Sequence, residues 1–484
     1  MLKVYNTLTK EKEKFKPLNE NKVLIYVCGL TVQNYSHLGH IRSAVNYDVI
    51  RRFLEYKGYE VVFVQNFTDI NEKIILRARE EGLTARELAE KYTRSYLEDI
   101  DELNILRATK YVKATDNIDA IIDMINKLIE NGFAYEVNGN VYFSVDKFKD
   151  YGKLSGQSLD DMRAGSRIEV VEEKKNPMDF ALWKKGPEGE KEWDSPWGKG
   201  WPGWHIECSA MSTRHLGEKI DIHGGGADLI FPHHENEIAQ SEASTGKKPF
   251  AKYWLHNGAV NLKGEKMSKS QGNFFTTREL LRKFTGDQIR YFLLTKHYRT
   301  PINFTTEELD YSSSSLNKIY NTFKKLRRLI DMEIEQEKQS DVDQEKIMKS
   351  FITRKRAFEE ALDDDFNTAR AIGTLHELIK DINIFVNDND FILTDQTKLL
   401  VKEAYRLMEE FSSVLGLNLN SNNDSSNNIA VTNDLMNLIL EIREKARENK
   451  DWVIADYIRE NLNKLGFSIK DTPQGVVWEK ESDN

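Results

Sequence analysis

Cysteine is nearly absent, with Cys28 and Cys208 the only two in 484 residues. Two thiols make no disulfide framework, and in a reducing compartment such a pair is buried, metal-bound or catalytic. No run of 18 apolar residues occurs, which excludes a membrane-spanning helix. The opening Met-Leu-Lys-Val-Tyr-Asn-Thr has no apolar core of the kind a secretory signal needs, so the expected location is the cytoplasm and no membrane partner is expected. Positive charge is not in excess: a formal net charge of −9 argues against a protein that coats nucleic acid by bulk attraction, while leaving room for local recognition. A Gly-x-Gly-x-x-Gly fingerprint is missing between Cys28 and His40, so the first loop is not a dinucleotide site. What is present, 39% hydrophobic and 30% charged residues, fits a soluble globular chain. Its length calls for more than one domain, because single cores stop growing near roughly 250–300 residues.

Val-Leu-Ile-Tyr-Val-Cys-Gly from Val23 is a short apolar run ending in glycine, as a buried parallel strand reads. After His37-Leu-Gly-His40, apolar residues recur at Ile41, Val45, Val49 and Phe53, which makes an amphipathic helix closed by Gly58. A second β-rich run follows from Tyr59, completing a βαβ unit whose ligands belong at the C-terminal ends of its strands. His37, Gly39 and His40 at a helix start suit an anion such as phosphate, although two histidines there are often ordinary polar residues. Residues 72–130 read as charged and mostly helical, and Val141-Tyr-Phe-Ser-Val as a strand. Between Gly152 and Gly203 periodicity fades and tryptophans gather, which reads as an insertion stapled by tryptophan, Trp204 apart.

Residues 202–237 hold Cys208, five histidines and several carboxylates. Pro232 suits the first turn of a helix, on which Glu237 shares a face with His233 and His234, whereas Glu235 faces elsewhere. Cys28, Cys208, either histidine and Glu237 would make a tetrahedral zinc set. Further on, Lys266 and Lys269 sit in a polar, glycine-bounded loop, where mobile ammonium groups suit a polyphosphate. With the histidine turn, they look like two jaws of an ATP site.

These motifs carry a resemblance. His37-Leu-Gly-His40 and Lys266-Met-Ser-Lys-Ser270 resemble the two signatures of class I aminoacyl-tRNA synthetases. Cys28-Gly-Leu-Thr-Val, Trp204-His-Ile-Glu-Cys-Ser, His223-Gly-Gly-Gly-Ala-Asp-Leu and Phe231-Pro-His-His-Glu-Asn-Glu are similar to cysteinyl-tRNA synthetases in particular, and the likeness continues to the last residues. The resemblance implies an α/β fold: a Rossmann-type parallel-sheet catalytic domain with an insertion, then an α-helical anticodon-binding bundle and a small C-terminal domain. It implies ATP, L-cysteine and tRNA(Cys) as partners, one Zn2+ per chain on Cys28, Cys208, His233 and Glu237, and Mg2+ with ATP. His37, Gly39, His40, Lys266 and Lys269 fall on its ATP-binding positions, His37, His40 and both lysines as catalytic groups. Gly29, Thr31, Thr68, Trp204, His223 and Asp228 fall on cysteine contacts, and Arg447, Trp452, Asp456 and Asp471 on anticodon contacts. Asn71, Glu72 and Trp201 depart from the usual pattern. The family's habit is monomeric.

The expected division is 1–115 and 204–260 as halves of the catalytic domain, 116–203 as the insertion and 261–308 as the lysine loop with a stem-contact region. A helical bundle (309–417), a linker (418–433) and a small anticodon-reading domain (434–484) follow. Asp363-Asp-Asp-Phe-Asn-Thr resembles a helix start in the bundle, where aspartates also serve as caps. A ligase that acylates a small-molecule amine through cysteinyl-adenylate is the competing reading, and it needs no anticodon module.

Overall fold

The computed structural model describes residues 1–157, 173–186, 192–262, 265–266, 275–334, 340–420, 436, 438–449, 451–465, 467–472 and 475–480. The chain forms two compact units, Met1–Leu419 and Asn420–Asn484.

The first unit opens with an antiparallel hairpin, β1 (Lys3–Asn6) and β2 (Glu11–Lys14), that the sequence reading did not foresee. Strand β3 (Lys22–Val27) follows, with Val23, Ile25, Tyr26 and Val27 buried as a continuous apolar run requires. Helix α1 (Leu38–Tyr56) starts at a capping box on His37 and buries Ile41, Val45, Val49 and Phe53. Then come β4 (Glu60–Phe67), α2 (Glu72–Glu81), α3 (Ala85–Glu102), β5 (Lys110–Lys113) and α4 (Ile118–Glu130). Strand β5, Lys-Tyr-Val-Lys, corrects the helical reading of residues 72–130. It is an edge strand, so only Val112 is fully buried and its lysines lie at the rim, which hides it from an apolar-run criterion.

The insertion is a sheet of its own rather than a stapled loop: β6 (Ala134–Val137), β7 (Asn140–Phe143), β8 (Phe180–Lys185) and β9 (Gly200–Pro202) pair in that order, all antiparallel. Trp183 and Trp201 are buried on its strands, Trp193 and Trp197 pack partly buried beside them, and Trp204 is 43% exposed. The chain returns through α5 (Trp204–Leu216), β10 (Ile220–Gly226), α6 (Glu235–Thr245) and β11 (Ala251–Asn257). The main sheet is parallel in the order β11-β10-β3-β4-β5. Strand order reverses between β3 and β10, and ligands of such sheets lie outside the carboxyl ends of the strands at that point.

A small sheet of β12 (Val260–Leu262), β13 (Glu265–Lys266) and β14 (Ile302–Phe304) is interleaved with α7 (Thr277–Leu281) and α8 (Gly286–Leu294). Four helices complete the unit: α9 (Thr306–Asp331), α10 (Gln344–Asp363), α11 (Thr368–Val386) and α12 (Asp395–Leu415). The aspartates before α11 do not cap it. Asn367 does, accepting from Arg370 N at 3.0 Å. Asp365 is buried and accepts from Tyr5 N, Tyr298 Oη and Arg299, while Asp363 meets Lys57 and the N-terminal amine, so the triplet ties the bundle to β1 and α1. Arg290 on α8 is buried against Asp48 of α1 and donates to the carbonyls of Leu103, Asn104 and Leu415. That guanidinium joins the helix carrying the histidine turn to the end of the bundle.

In the second unit residues 438–448 are helical, α13 (Trp452–Lys464) starts at an Asp451 cap, and β15 (Phe467–Thr472) pairs antiparallel with β16 (Gly475–Lys480). Met436, Leu462 and Ile469 form its core. Of the expected linker, residues 421–433 lie outside the described residues.

Candidate active site

Cys28 follows β3 and His223 lies on β10, one on each side of the point where strand order reverses. Cys208 comes from α5. The helical course that leads into α6 begins at Pro232, after extended backbone at Phe231, and brings His233 and Glu237 one turn apart. Cys28 Sγ lies 3.5 Å from His233 Nε2 and 3.2 Å from Glu237 Oε1, and those two atoms are 3.1 Å apart. With Cys208, one donor atom from each residue lies within 4.8 Å of the others, and all four side chains are buried. A tetrahedral zinc with bonds of about 2.3 Å to sulfur and about 2.0–2.1 Å to nitrogen or oxygen spaces its donors about 3.3–3.8 Å apart, so this donor set fits such an ion. Cys28, His223, His234 and Glu237 form a second group that meets the same distance limit.

Outer contacts distinguish the two histidines that helix spacing left open. His233 Nδ1 is 2.8 Å from His205 Nδ1, which turns its Nε2 toward the thiols. His234 Nδ1 is 2.7 Å from His256 Nε2, and His256 in turn is 2.8 Å from Thr7 Oγ1. His234 Nε2 stands 3.8 Å from Glu237 Oε1. Glu235 points away and accepts from the amides of Leu154 and Ser155 in the insertion.

Burial pushes the Cys28 thiol well up, while the hydrogen bond from Cys28 brings Cys208 down to about 6. Burial pulls His233 down, but Glu237 and Cys208 beside it more than reverse this, to about 10. Burial likewise pushes Glu237 up, and His223 and His233 bring it well below the usual carboxylate range. Cys208 and Glu237 are thus held as anions beside a protonated His233 and a neutral Cys28 thiol, and a bound cation would take the place of those two protons.

A cavity of about 410 Å³ runs from Cys28, Cys208 and His233 to the turn of His37, Gly39 and His40. Gly29, Thr31, Thr68, Trp204 and Asp228 also line it. The Trp204 ring lies 4.6 Å from that of His233 and forms a wall beside the candidate metal donors. His223 does not line the cavity. It is fully buried behind the cluster, 3.5 Å from Cys28 Sγ and stacked at 4.4 Å on Trp254. Two glycines are dictated by close approach: a Cβ on Gly29 would collide with the Asn66 carbonyl oxygen, and one on Gly224 with the Tyr47 ring. Sequence reasoning missed four supporting residues. Asn66 accepts from Gly29 N at 2.8 Å, buried Glu207 accepts from Thr68 Oγ1 at 2.9 Å, His205 orients His233, and Tyr47 Oη bridges Gly225 and Leu255. Of these, Glu207 left a signal, as a carboxylate among the small and apolar residues of α5.

At the other end, His37 Nδ1 accepts from Gly39 N at 3.1 Å and His40 Nδ1 accepts from His37 N at 3.3 Å, with the rings stacked at 3.7 Å. With both Nδ1 atoms used as acceptors, each neutral imidazole carries its proton on Nε2 and is a donor there. The Lys266 backbone pairs with Asn261 in β13, and Lys269 lies outside the described residues. Asn71 caps α2, accepting from Lys73 N at 2.9 Å, and Glu72 lies 3.6 Å from Lys184. In the second unit Trp452 and Asp456 are exposed one turn apart on α13, Arg447 is exposed in the preceding helix, and Asp471 pairs through its backbone with Val476.

Residues 14–314 match the model of the tRNA synthetase class I (C) catalytic domain, 357–420 a DALR domain and 434–478 a cysteinyl-tRNA ligase anticodon binding domain. A cysteine–tRNA ligase of Heliobacterium modesticaldum is 49% identical over 484 residues, covering 99% of each chain. Among solved structures, Mycobacterium tuberculosis methionyl-tRNA synthetase in complex with methionyl-adenylate superposes with a TM-score of 0.60 at 15% identity, covering 82% of this chain and 91% of its own. A putative arginyl-tRNA synthetase from Campylobacter jejuni gives a TM-score of 0.57 at 16% identity, covering 84% and 94%. The two structures show a shared fold, and the full-length relative together with the catalytic-domain match shows the family: the chain belongs to the class I cysteine–tRNA ligases.

Proposed function

We infer that the chain joins L-cysteine and ATP to give cysteinyl-adenylate and pyrophosphate, then passes the cysteinyl group to the 3′-terminal ribose of tRNA(Cys). The observation that carries this is a single cavity with a soft four-donor cluster at one end and two imidazole donors at a helix N-terminus at the other. In the first step a carboxylate oxygen of cysteine bonds to the α-phosphorus as the bond to the departing pyrophosphate breaks. The nucleophile needs little activation, so positioning and charge stabilisation supply the rate. His37 and His40 donate from Nε2 to phosphate oxygens beside the positive end of α1, with the Gly39 backbone close by. Lys266 and Lys269 neutralise the leaving pyrophosphate, and ATP enters as its Mg2+ complex. In the second step a ribose hydroxyl, the 2′ in this class, attacks the carbonyl and AMP leaves.

Cys28, Cys208, His233 and Glu237 would hold one Zn2+, which when bound prefers the substrate's soft thiolate to a hydroxyl. That preference matters because a size-based pocket gains only about 1–3 kcal/mol between near-isosteres such as cysteine and serine. Gly29, Thr31, Thr68, Trp204 and Asp228 orient the amino acid, and His223 acts from behind through Cys28 and Glu237. Arg447, Trp452, Asp456 and Asp471 read the anticodon by stacking and edge hydrogen bonds. The division of labour along residues 1–115, 116–203, 204–260, 261–308, 309–417, 418–433 and 434–484 belongs to this proposal, as does a cytoplasmic monomer. No helix among the described residues is long and apolar enough to cross a membrane. The competing amine ligase leaves the anticodon-binding match at 434–478 without a task.

The test is ATP–pyrophosphate exchange with cysteine and serine side by side, with metal measured on the same sample and tRNA charging measured next. Cysteine-dependent exchange, negligible exchange with serine, near one zinc per chain and charging of tRNA(Cys) are expected. Exchange with serine equal to that with cysteine would sink the zinc-selection reading. Exchange with cysteine but no charging would favour the amine ligase.

A further inference from the structure

Three elements meet behind the His37–His40 turn. Ser36 immediately precedes the cap of α1, Asp99 lies on α3 and Thr277 opens α7, and all three are buried. Ser36 Oγ donates to Asp99 Oδ2 at 2.7 Å, and Thr277 Oγ1 lies 2.6 Å from Ser36 Oγ. A hydroxyl carries one proton, and that of Ser36 goes to the carboxylate, so Thr277 is the donor of the second bond. The relay has one direction, from Thr277 through Ser36 to Asp99. The backbone doubles it: Thr277 N donates to Ser36 O at 2.9 Å, and Thr276 bridges antiparallel to His37. Arg278 closes the group, with Nε 3.3 Å from Asp99 Oδ1 and a second contact to Glu98. Ser36, Asp99 and Thr277 do not line the cavity.

Apolar side chains would pack these elements together with less directional constraint. Hydrogen bonds of fixed direction in a buried network select one arrangement, and the arrangement here sets the backbone of His37. His37 N is also the donor that orients the His40 ring. The same network anchors the chain shortly after Lys266-Met-Ser-Lys-Ser270, because Thr277 is seven residues beyond Ser270. We propose that Thr277, Ser36 and Asp99 are positioning residues for the ATP-dependent step, aiming the two imidazole donors at phosphate from behind. The proposal rests on the reading of the His37–His40 turn as the phosphate site.

Full-length Thr277→Val and Ser36→Ala are assayed by cysteine-dependent ATP–pyrophosphate exchange, with ATP and cysteine titrated separately and with metal content and thermal midpoint taken on the same samples. Each variant should lose about tenfold or more in kcat/KM for ATP, since displacements of about 1 Å at a reacting centre cost up to about a hundredfold. KM for cysteine and metal content should not move. Thr277→Ser, which keeps the hydroxyl, should restore the ATP parameters. The double variant should be no worse than either single one, because each breaks the same relay. Unchanged ATP parameters in a folded Thr277→Val overturn the proposal, and so does a parallel loss of cysteine affinity and metal, which marks general loosening. His37→Asn separates this from the underlying reading. Full exchange in that variant overturns the phosphate site itself, whereas its loss beside a normal Thr277→Val overturns only the positioning role.

Discussion

Cys208 and Gly29 show how differently single residues contribute. Cys208 brings a donor into a cluster whose other members are already hydrogen-bonded or packed, so Cys208→Ser should preserve the fold while removing metal and cysteine activation. Metal analysis and exchange on the folded variant check this, and full stoichiometry with normal exchange would sink the four-donor assignment. Gly29 contributes by having no side chain. A methyl group there meets the backbone carbonyl of Asn66, which a rotamer change does not relieve. Gly29→Ala should lower stability by about 1–3 kcal/mol, as overpacking does, and weaken cysteine binding by moving Cys28. Denaturant unfolding and the cysteine KM read the two effects, and a parent-like midpoint would show that the strands separate more easily than drawn. Residue types alone pointed to Cys28, Cys208, Glu237 and either His233 or His234 as candidate donors, because thiols and a one-turn His–Glu pair are rare and patterned, and the choice of His233 came only from the family resemblance. Sequence reasoning did not reach Asn66, Glu207 or His205, whose roles are hydrogen bonds made across the fold by common residue types.

The first strand–helix–strand unit was legible, whereas the sheet edges and the interior strand β10 were not. β3 and α1 announce themselves by an apolar run and a four-residue repeat, because both bury wide apolar surfaces. β5 and the β1–β2 hairpin expose much of theirs, and β8 and β9 gain their identity only by pairing, β8 with β7 and β9 with β8. The aspartates before α11 were misjudged for a related reason: a cap is a local event, whereas Asp365 is claimed by residues far away in sequence. The same bundle carries a pH dependence. Burial, assisted by Lys318, lowers His376 on α11 below its ordinary value, and Tyr291 Oη lies 2.7 Å from its Nε2. The folded state therefore binds fewer protons at this site than the unfolded chain does. Its contribution to stability is fully present above the unfolded value near about 6.5 and is lost as pH falls through the folded one. The thermal midpoint should drop from pH 7 to pH 5, and the drop should be shallower in His376→Gln. An identical slope in that variant would remove His376 from the account.

At the scale of the whole molecule, the two units have separate cores: every residue of the two large clusters lies at or before Leu419, and Met436, Leu462 and Ile469 form a third cluster of their own. The cavity and the candidate metal donors lie within the first unit. A chain ending at Leu419 should therefore fold and keep cysteine-dependent pyrophosphate exchange while losing efficient charging of tRNA. In the full chain, Trp452 opens α13 with its ring exposed and shares a face with Asp456 one turn on, an arrangement that offers a stacking surface beside a hydrogen-bond acceptor. Stacking of one unpaired base on an aromatic ring is worth about 1–3 kcal/mol, so Trp452→Ala should raise the KM for tRNA roughly tenfold to a hundredfold and leave exchange untouched. Charging kinetics against exchange on the same preparation separate the two steps. Loss of exchange in Trp452→Ala would mean that the second unit supports the chemistry and not only recognition, and unchanged charging would remove this face of α13 from the anticodon site.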